Sequence, residues 1–231
     1  MKRLPNPETY EKEELFMPWG TLTKEILNWI LKEVSPNQKI IDLMCGPGQL
    51  LGKIQSKRKD LQLTGLDTDK RYIKFASIKY PFINFINDDI LKWKTKIKYN
   101  LVLVTGGIHH IPYNKKRIVI KSIYDLLDNN GVCIIADPFI DNYVNEKQRK
   151  IAAAKLGYEY IKAVITNNAP DEIVSAAIDI LFNDVLPKGE YKTSITKFRN
   201  IIDPIFSKVE LHKTWPNITS EYGDYYFILS K

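Results

Sequence analysis

Cysteine is nearly absent from this chain. Cys45 and Cys133 are its only two, too few for a disulfide framework. Histidine numbers three, and no Cys/His cluster has zinc spacing, so no metal centre is expected. No apolar run reaches the roughly 18 residues that span a bilayer. The opening Met1-Lys2-Arg3-Leu4-Pro5-Asn6-Pro7 leads into the acidic Glu11-Lys12-Glu13-Glu14 and lacks the apolar stretch of a signal peptide. Repeats and low-complexity tracts are also missing. These absences together predict a cytoplasmic protein without membrane contact, its two thiols reduced and buried as small hydrophobes.

At 231 residues, 44% hydrophobic and 26% charged, the chain can bury one sizeable core and has no need of a second. The net charge of +7 raises the question of a nucleic-acid partner. Its basic residues gather at Lys53 to Lys59, at Lys92 to Lys98 and at Lys115-Lys116-Arg117. Each cluster borders a predicted element, where charge usually keeps a face solvated. Nucleic acid therefore stays open without being favoured, and monomer and homodimer are equally compatible.

Residues 1–20 show no clear period. A helix is predicted from Leu22, with Leu22, Ile26, Ile30 and Val34 on one stripe. Short apolar runs at 39–44, 61–66, 82–86, 100–104 and 132–136 read as strands, and helical patterns follow the first, second and fourth of them. Strands alternating with helices predict an α/β protein whose mostly parallel sheet has helices on both faces. Beyond Pro138 the rhythm changes: 141–166 and 170–186 read as two long helices, then a shorter helix near 194–205 and strands at 209–214 and 225–229. The expected organisation is one domain over 1–231. It comprises an N-terminal arm and helix (1–36), a core (37–138), a helical insertion after strand five that serves as lid (139–190), and a closing helix and strand pair (191–231).

Three signals fall at predicted strand ends, where ligands of such sheets bind. The first is Asp42-Leu43-Met44-Cys45-Gly46-Pro47-Gly48-Gln49. Gly46 and Gly48 let the backbone turn sharply and leave room for a ligand against bare main chain. Asp42 can order that turn or reach the amino group of a bound amino acid. A dinucleotide fingerprint would need a third glycine where Leu51 stands. The second signal is Asp67, with Thr68 beside it, 19 residues after Gly48. A carboxylate there can accept both hydroxyls of a ribose. The third is Asp88-Asp89-Ile90, where a carboxylate and a backbone amide can meet an adenine edge; a solvated acidic turn is the alternative.

As a set these residues resemble the class I, Rossmann-like S-adenosylmethionine-dependent methyltransferases, over about residues 38–138. The similarity extends to Lys98–Val104 and to Leu126-Leu127-Asp128-Asn129-Asn130-Gly131, which departs from the family's Pro-Gly-Gly turn; Asn100 stands where the family often has Asp. The resemblance implies a seven-stranded sheet ending in an antiparallel hairpin, with S-adenosyl-L-methionine as cofactor. It implies cofactor contacts from Asp42, Gly46, Gly48, Asp67, Thr68, Asp88, Asp89 and Thr105. The fourth strand ends in Thr105-Gly106-Gly107-Ile108-His109-His110. His109 is similar in position to the catalytic histidine of some small-molecule O-methyltransferases, and its imidazole suits a general base. A structural role is the other reading of both histidines. Tyr10 and Trp19, with His110, are candidates for contact with the acceptor, Tyr10, Phe16 and Trp19 closing over the site or merely packing.

Some branches are disfavoured. Thr-Gly-Gly-Ile is not the Asp/Asn-Pro-Pro-aromatic run of amino-methylating nucleic-acid enzymes. No cysteine lies near the fourth strand for attack on a pyrimidine ring, and arsenic methylation would need more thiols. The expected function is transfer of a methyl group to O or N of a small-molecule acceptor. An RNA or protein methyltransferase, or a non-methylating S-adenosylmethionine-binding protein, remains as the alternative.

Overall fold

In the computed structural model, which describes residues 5–231, the apolar runs pair into one seven-stranded sheet of order β3-β2-β1-β4-β5-β7-β6. Met1–Leu4, the start of the expected arm, lie outside the described residues. The strands are β1 (Lys39–Leu43), β2 (Gln62–Asp67), β3 (Asn84–Asn87), β4 (Tyr99–Thr105), β5 (Leu127–Phe139), β6 (Lys208–Trp215) and β7 (Gly223–Ser230). β1 to β5 pair in parallel, whereas β7 runs antiparallel to both β5 and β6. The strand order reverses between β1 and β4, which opens a crevice at their carboxyl ends.

Successive side chains of a strand face opposite ways, and here both faces are covered, so the central strands are apolar at nearly every position. Ile41, Leu43, Val102, Val104 and Ile135 pack on α5 (Tyr113–Leu126) and α8 (Ile195–Ile202). On the other face Ile40, Leu101, Leu103 and Ile134 meet α2 (Trp19–Glu33) and α3 (Gln49–Lys57), with α4 (Lys70–Lys79) beside them. Asn100, the departure from the family pattern, accepts from the Lys39 amide at 2.9 Å and donates to Asp128 at 3.2 Å. No helix among the described residues is long and apolar enough to cross a membrane.

The N-terminal segment differs from the aperiodic stretch expected. Pro7–Phe16 forms a helix, α1, capped by the Asn6 side chain on the Thr9 amide at 2.7 Å, with Pro7 in its first turn. Periodicity misses it because α1 buries little apolar surface; Glu13 is its buried residue. Its acids reach across to the basic helices: Glu14 bonds Gln49 and Lys53, and Glu11 bonds Lys79. The acidic run of the sequence thus fastens α1 over the start of α3 and the end of α4.

The insertion forms α6 (Glu146–Thr166) and α7 (Asp171–Val185). α6 starts five residues later than the periodicity suggests. Asn145 accepts from the Gln148 amide at 3.0 Å, and Gln148 reciprocates on the Val144 amide at 2.9 Å. α7 packs on α6: Leu181 presses against Gly157, where a Cβ would meet its Cδ1 at 2.7 Å. Arg149 locks the pair. It is 2% exposed, bonds Glu146, and donates to the Asp184 and Val185 carbonyls at 2.8 and 2.9 Å. Arg149→Met leaves those carbonyls without a donor, so it is expected to lower stability by about 1–3 kcal/mol. Thermal unfolding followed by circular dichroism checks this.

Candidate active site

β1 ends in a turn with left-handed backbone at three positions: Met44, Gly46 and Gly48, at φ of 65°, 54° and 78°. The glycines are required for different reasons. At Gly48 a Cβ would lie 2.7 Å from the Phe85 ring of β3. At Gly46 the amide donates to Asp67 Oδ2 at 2.9 Å, which joins the turn to the end of β2. Asp67 Oδ1 accepts from the Asp69 amide at 2.8 Å. Asp42 is 1% exposed, and its Oδ1 has no hydrogen-bond partner among the described residues. Burial, and then the nearby Asp67 charge, push the Asp42 carboxyl well above the usual carboxylate range.

A cavity of about 350 Å³ opens at this turn. Of the residues singled out in the sequence, Asp42, Thr105, His109, His110, Tyr10 and Trp19 line it. Gly46 and Asp67 stand just behind Cys45 and Pro47 of the wall, and the Tyr10 ring lies 3.7 Å from a Cβ built on Gly46. Phe16 packs away from the cavity in a cluster with Met17, Val164 and Ile173. Gly48, Thr68, Asp88 and Asp89 do not line it. Asp88 accepts from the Asp89 amide, and Asp89 from the Leu91 amide at 2.9 Å, the hydrogen bonds of an acidic turn.

The other end of the cavity holds a polar network that the sequence reading missed. His109 Nδ1 meets Asp137 Oδ1 at 2.8 Å, and its Nε2 faces Glu190 Oε2 at 3.3 Å. Glu190 in turn lies 3.2 Å from the Lys192 ammonium, which also binds Asp184 at 2.7 Å. The backbone of this stretch is pinned where the Tyr191 amide donates to the His109 carbonyl at 2.6 Å. Asp137 carried a signal, as an acid near the end of an apolar strand. Glu190 and Lys192 carried none, because their place depends on how the chain returns from α7.

Burial opposes the charge on Lys192, yet Asp184 and Glu190 outweigh it and hold its ammonium above the ordinary lysine range. Lys116, 1% exposed, donates to the Ile108 carbonyl; burial lowers it to about 8 against the pull of Asp137. His110 Nδ1 meets the Gly189 carbonyl at 3.2 Å, and desolvation and His109 push it down to about 4, leaving it neutral at pH 7. The ligand atoms of His109, His110 and Glu190 fall within 4.8 Å of one another, a metal-like grouping. A dication there would sit beside the buried Lys192 ammonium, so the grouping fits an ion-pair network better than a metal cage.

Tyr160 lines the cavity and donates to Asp224, which is 0% exposed at the start of β7. Burial raises the Asp224 carboxyl to about 7, against the stabilising Tyr160 hydroxyl. The unfolded chain releases this proton near 3.8 and the folded chain near 7, so stability is full below that window and falls as pH rises through it. Asp224→Asn keeps the acceptor for Tyr160 and removes the ionisation. Urea titrations at stepped pH are expected to show a decline in wild-type stability between about pH 4 and 7 that is smaller in the variant.

Comparison with known proteins agrees with this geometry. Residues 40–131 match the family model of the methyltransferase domain. A carboxy-S-adenosyl-L-methionine synthase of Campylobacter hominis is 33% identical over 123 residues, covering 52% of this chain and 51% of that protein. A trans-aconitate 2-methyltransferase of Escherichia coli is 24% identical over 105 residues, covering 46% of this chain and 40% of that protein. The chain thus spans about half the length of these curated relatives. The N-methyltransferase NodS of Bradyrhizobium japonicum, solved with S-adenosyl-L-homocysteine, superposes with a TM-score of 0.61 at 14% identity, covering 98% of each chain. The family match over residues 40–131 thus falls on the sheet and its glycine turn, and the fold is the α/β, Rossmann-like one of these structural neighbours.

Proposed function

We propose that the protein is an S-adenosylmethionine-dependent methyltransferase that acts on O or N of a small-molecule acceptor. The observation that carries this reading is Asp42: a buried carboxylate oxygen without a partner, on the wall of a cavity at a glycine turn. A buried acceptor calls for a donor, and the ammonium of a methionine moiety supplies one. Gly46 and Asp67 would hold the ribose from behind the turn, where Asp67 keeps lone pairs beyond those committed to the two amides. Thr105 and the open Gly106, where a Cβ would meet nothing within 4 Å, leave space for the reacting end. When bound, the cofactor supplies an electrophilic methyl group on a sulfonium.

The chain's own part is to hold the acceptor, keep water out and take a proton. Tyr10 of α1, Trp19 of α2 and the Ala176–Ile180 face of α7 enclose the cavity. His109 would act as general base, with Asp137 as the positioning residue: by accepting from Nδ1 it leaves the lone pair of the neutral ring on Nε2, beside Glu190 at the cavity wall. The basic clusters noted in the sequence lie elsewhere. Among the described lining residues Lys192 is the sole lysine or arginine, and it is paired, which favours a small molecule over RNA.

Calorimetry of S-adenosylhomocysteine binding tests the cofactor site. Asp67→Ala is expected to weaken binding by about tenfold or more, the loss of one charge-assisted contact; unchanged affinity would remove Asp67 from the site. Kinetics test the proton path. His109→Ala is expected to lower kcat by about 10²-fold or more, and Asp137→Asn to lower kcat and shift the pH–rate profile with little change in KM. Full activity of His109→Ala would refute the base assignment.

A further inference from the structure

The cavity wall has a charge opposite to that of the molecule. On a chain of net charge +7, the lining carries Glu13, Asp42, Glu172, Asp179 and Glu190 against the one ammonium of Lys192. Lys192 is already held by two carboxylates, at 2.7 and 3.2 Å, and offers nothing to an anion. Asp42 belongs to the cofactor side. Glu172 and Asp179 stand apart from it, on the same face of α7 two helical turns apart. The Glu172 ion pair is a half-exposed one with Lys12 at 3.5 Å, and the Asp179 carboxylate has no partner among the described residues. An acceptor carrying a carboxylate would meet repulsion from this wall, and a neutral hydroxyl would gain nothing from it.

A second observation bears on the same end. Asp137 accepts a hydrogen bond from His109 Nδ1–H, so in the neutral ring Nε2 presents a lone pair to Glu190 Oε2 across 3.3 Å. Two acceptors facing each other form a place for an N–H donor. Met17, Ile26 and Ile180 add apolar wall nearby.

We propose that the acceptor is a small primary or secondary amine on an apolar body, drawn in as its ammonium by Glu172 and Asp179 and presented from the cavity side to both His109 and Glu190. This deepens the methyltransferase reading and rests on it. The ammonium passes one proton to Nε2 of His109, which frees the nitrogen lone pair. That pair forms the new N–C bond to the methyl carbon as the C–S bond breaks, its electrons returning to sulfur to give neutral S-adenosylhomocysteine. The positive charge then resides on the methylated nitrogen, and the imidazolium stands between the Asp137 and Glu190 carboxylates until its proton leaves to solvent.

The test is a set of calorimetric titrations of benzylamine and a linear triamine, against the matching carboxylates and alcohols, into the free and the S-adenosylhomocysteine-loaded protein. The amines are expected to bind at least about tenfold more tightly than the isosteric carboxylates, a preference worth one charge contact. The Glu172→Gln/Asp179→Asn double variant is expected to lose that preference while its S-adenosylhomocysteine affinity stays as in wild type. Equal or tighter binding of carboxylates, no binding of either amine, or a preference that survives the double variant overturns the proposal. Failure of S-adenosylhomocysteine to bind wild-type protein would instead count against the methyltransferase reading, and the titrations of free protein still decide the amine question.

Discussion

A carboxylate taken out of water is costly unless a donor goes with it, and this sheet buries four along one edge. Asp42 lies one residue before the end of β1, Asp67 ends β2, Asp137 lies near the end of β5, and Asp224 is the second residue of the antiparallel β7 at the same rim. Each meets a different answer. Backbone amides of the glycine turn serve Asp67, an imidazole serves Asp137, and a phenol serves Asp224. Asp42 alone among them lines the cavity with an oxygen left bare. Asp184 and Asp224 also keep one bare oxygen each, but those lie away from the cavity wall.

That constraint explains why the insertion is built as it is. α6 supplies Tyr160 to Asp224, and the segment after α7 supplies Glu190 and Lys192 to the strand-end histidine. Arg149 ties the end of α7 to α6 through two carbonyls, so the returning chain arrives at a fixed place. The two helices are thus more than a cover. They carry Tyr160 and Asp184 of the polar network, which ties them to Asp224 of β7 and to Lys192.

The parallel core was legible in the sequence because short apolar runs and glycine turns are local properties, and they put β1 to β4 within about two residues of their observed bounds, whereas β5 begins five residues earlier than expected. Asp42 and the pairing of Gly46 with Asp67 were legible for the same reason: strand-end position follows from strand position. The partners of His109 were not, since Glu190 is 81 residues away and meets it only through the fold. α1 escaped notice because its buried face is not apolar, although Asn6-Pro7 marked its start. At the Asp88-Asp89 turn both carboxylates bond neighbouring amides and neither lines the cavity, which is the solvated acidic turn that the sequence left open beside an adenine contact.

α1 is fastened from outside and functional on the inside. Tyr10 and Glu13 face the cavity, while Glu11 and Glu14 hold lysines of α3 and α4 at the molecule's partly exposed flank. Exposed ion pairs of this kind contribute on the order of 0–1 kcal/mol each and weaken with added salt. Added salt therefore loosens the clasp on the α1 side of the cavity while leaving the buried network around His109 intact.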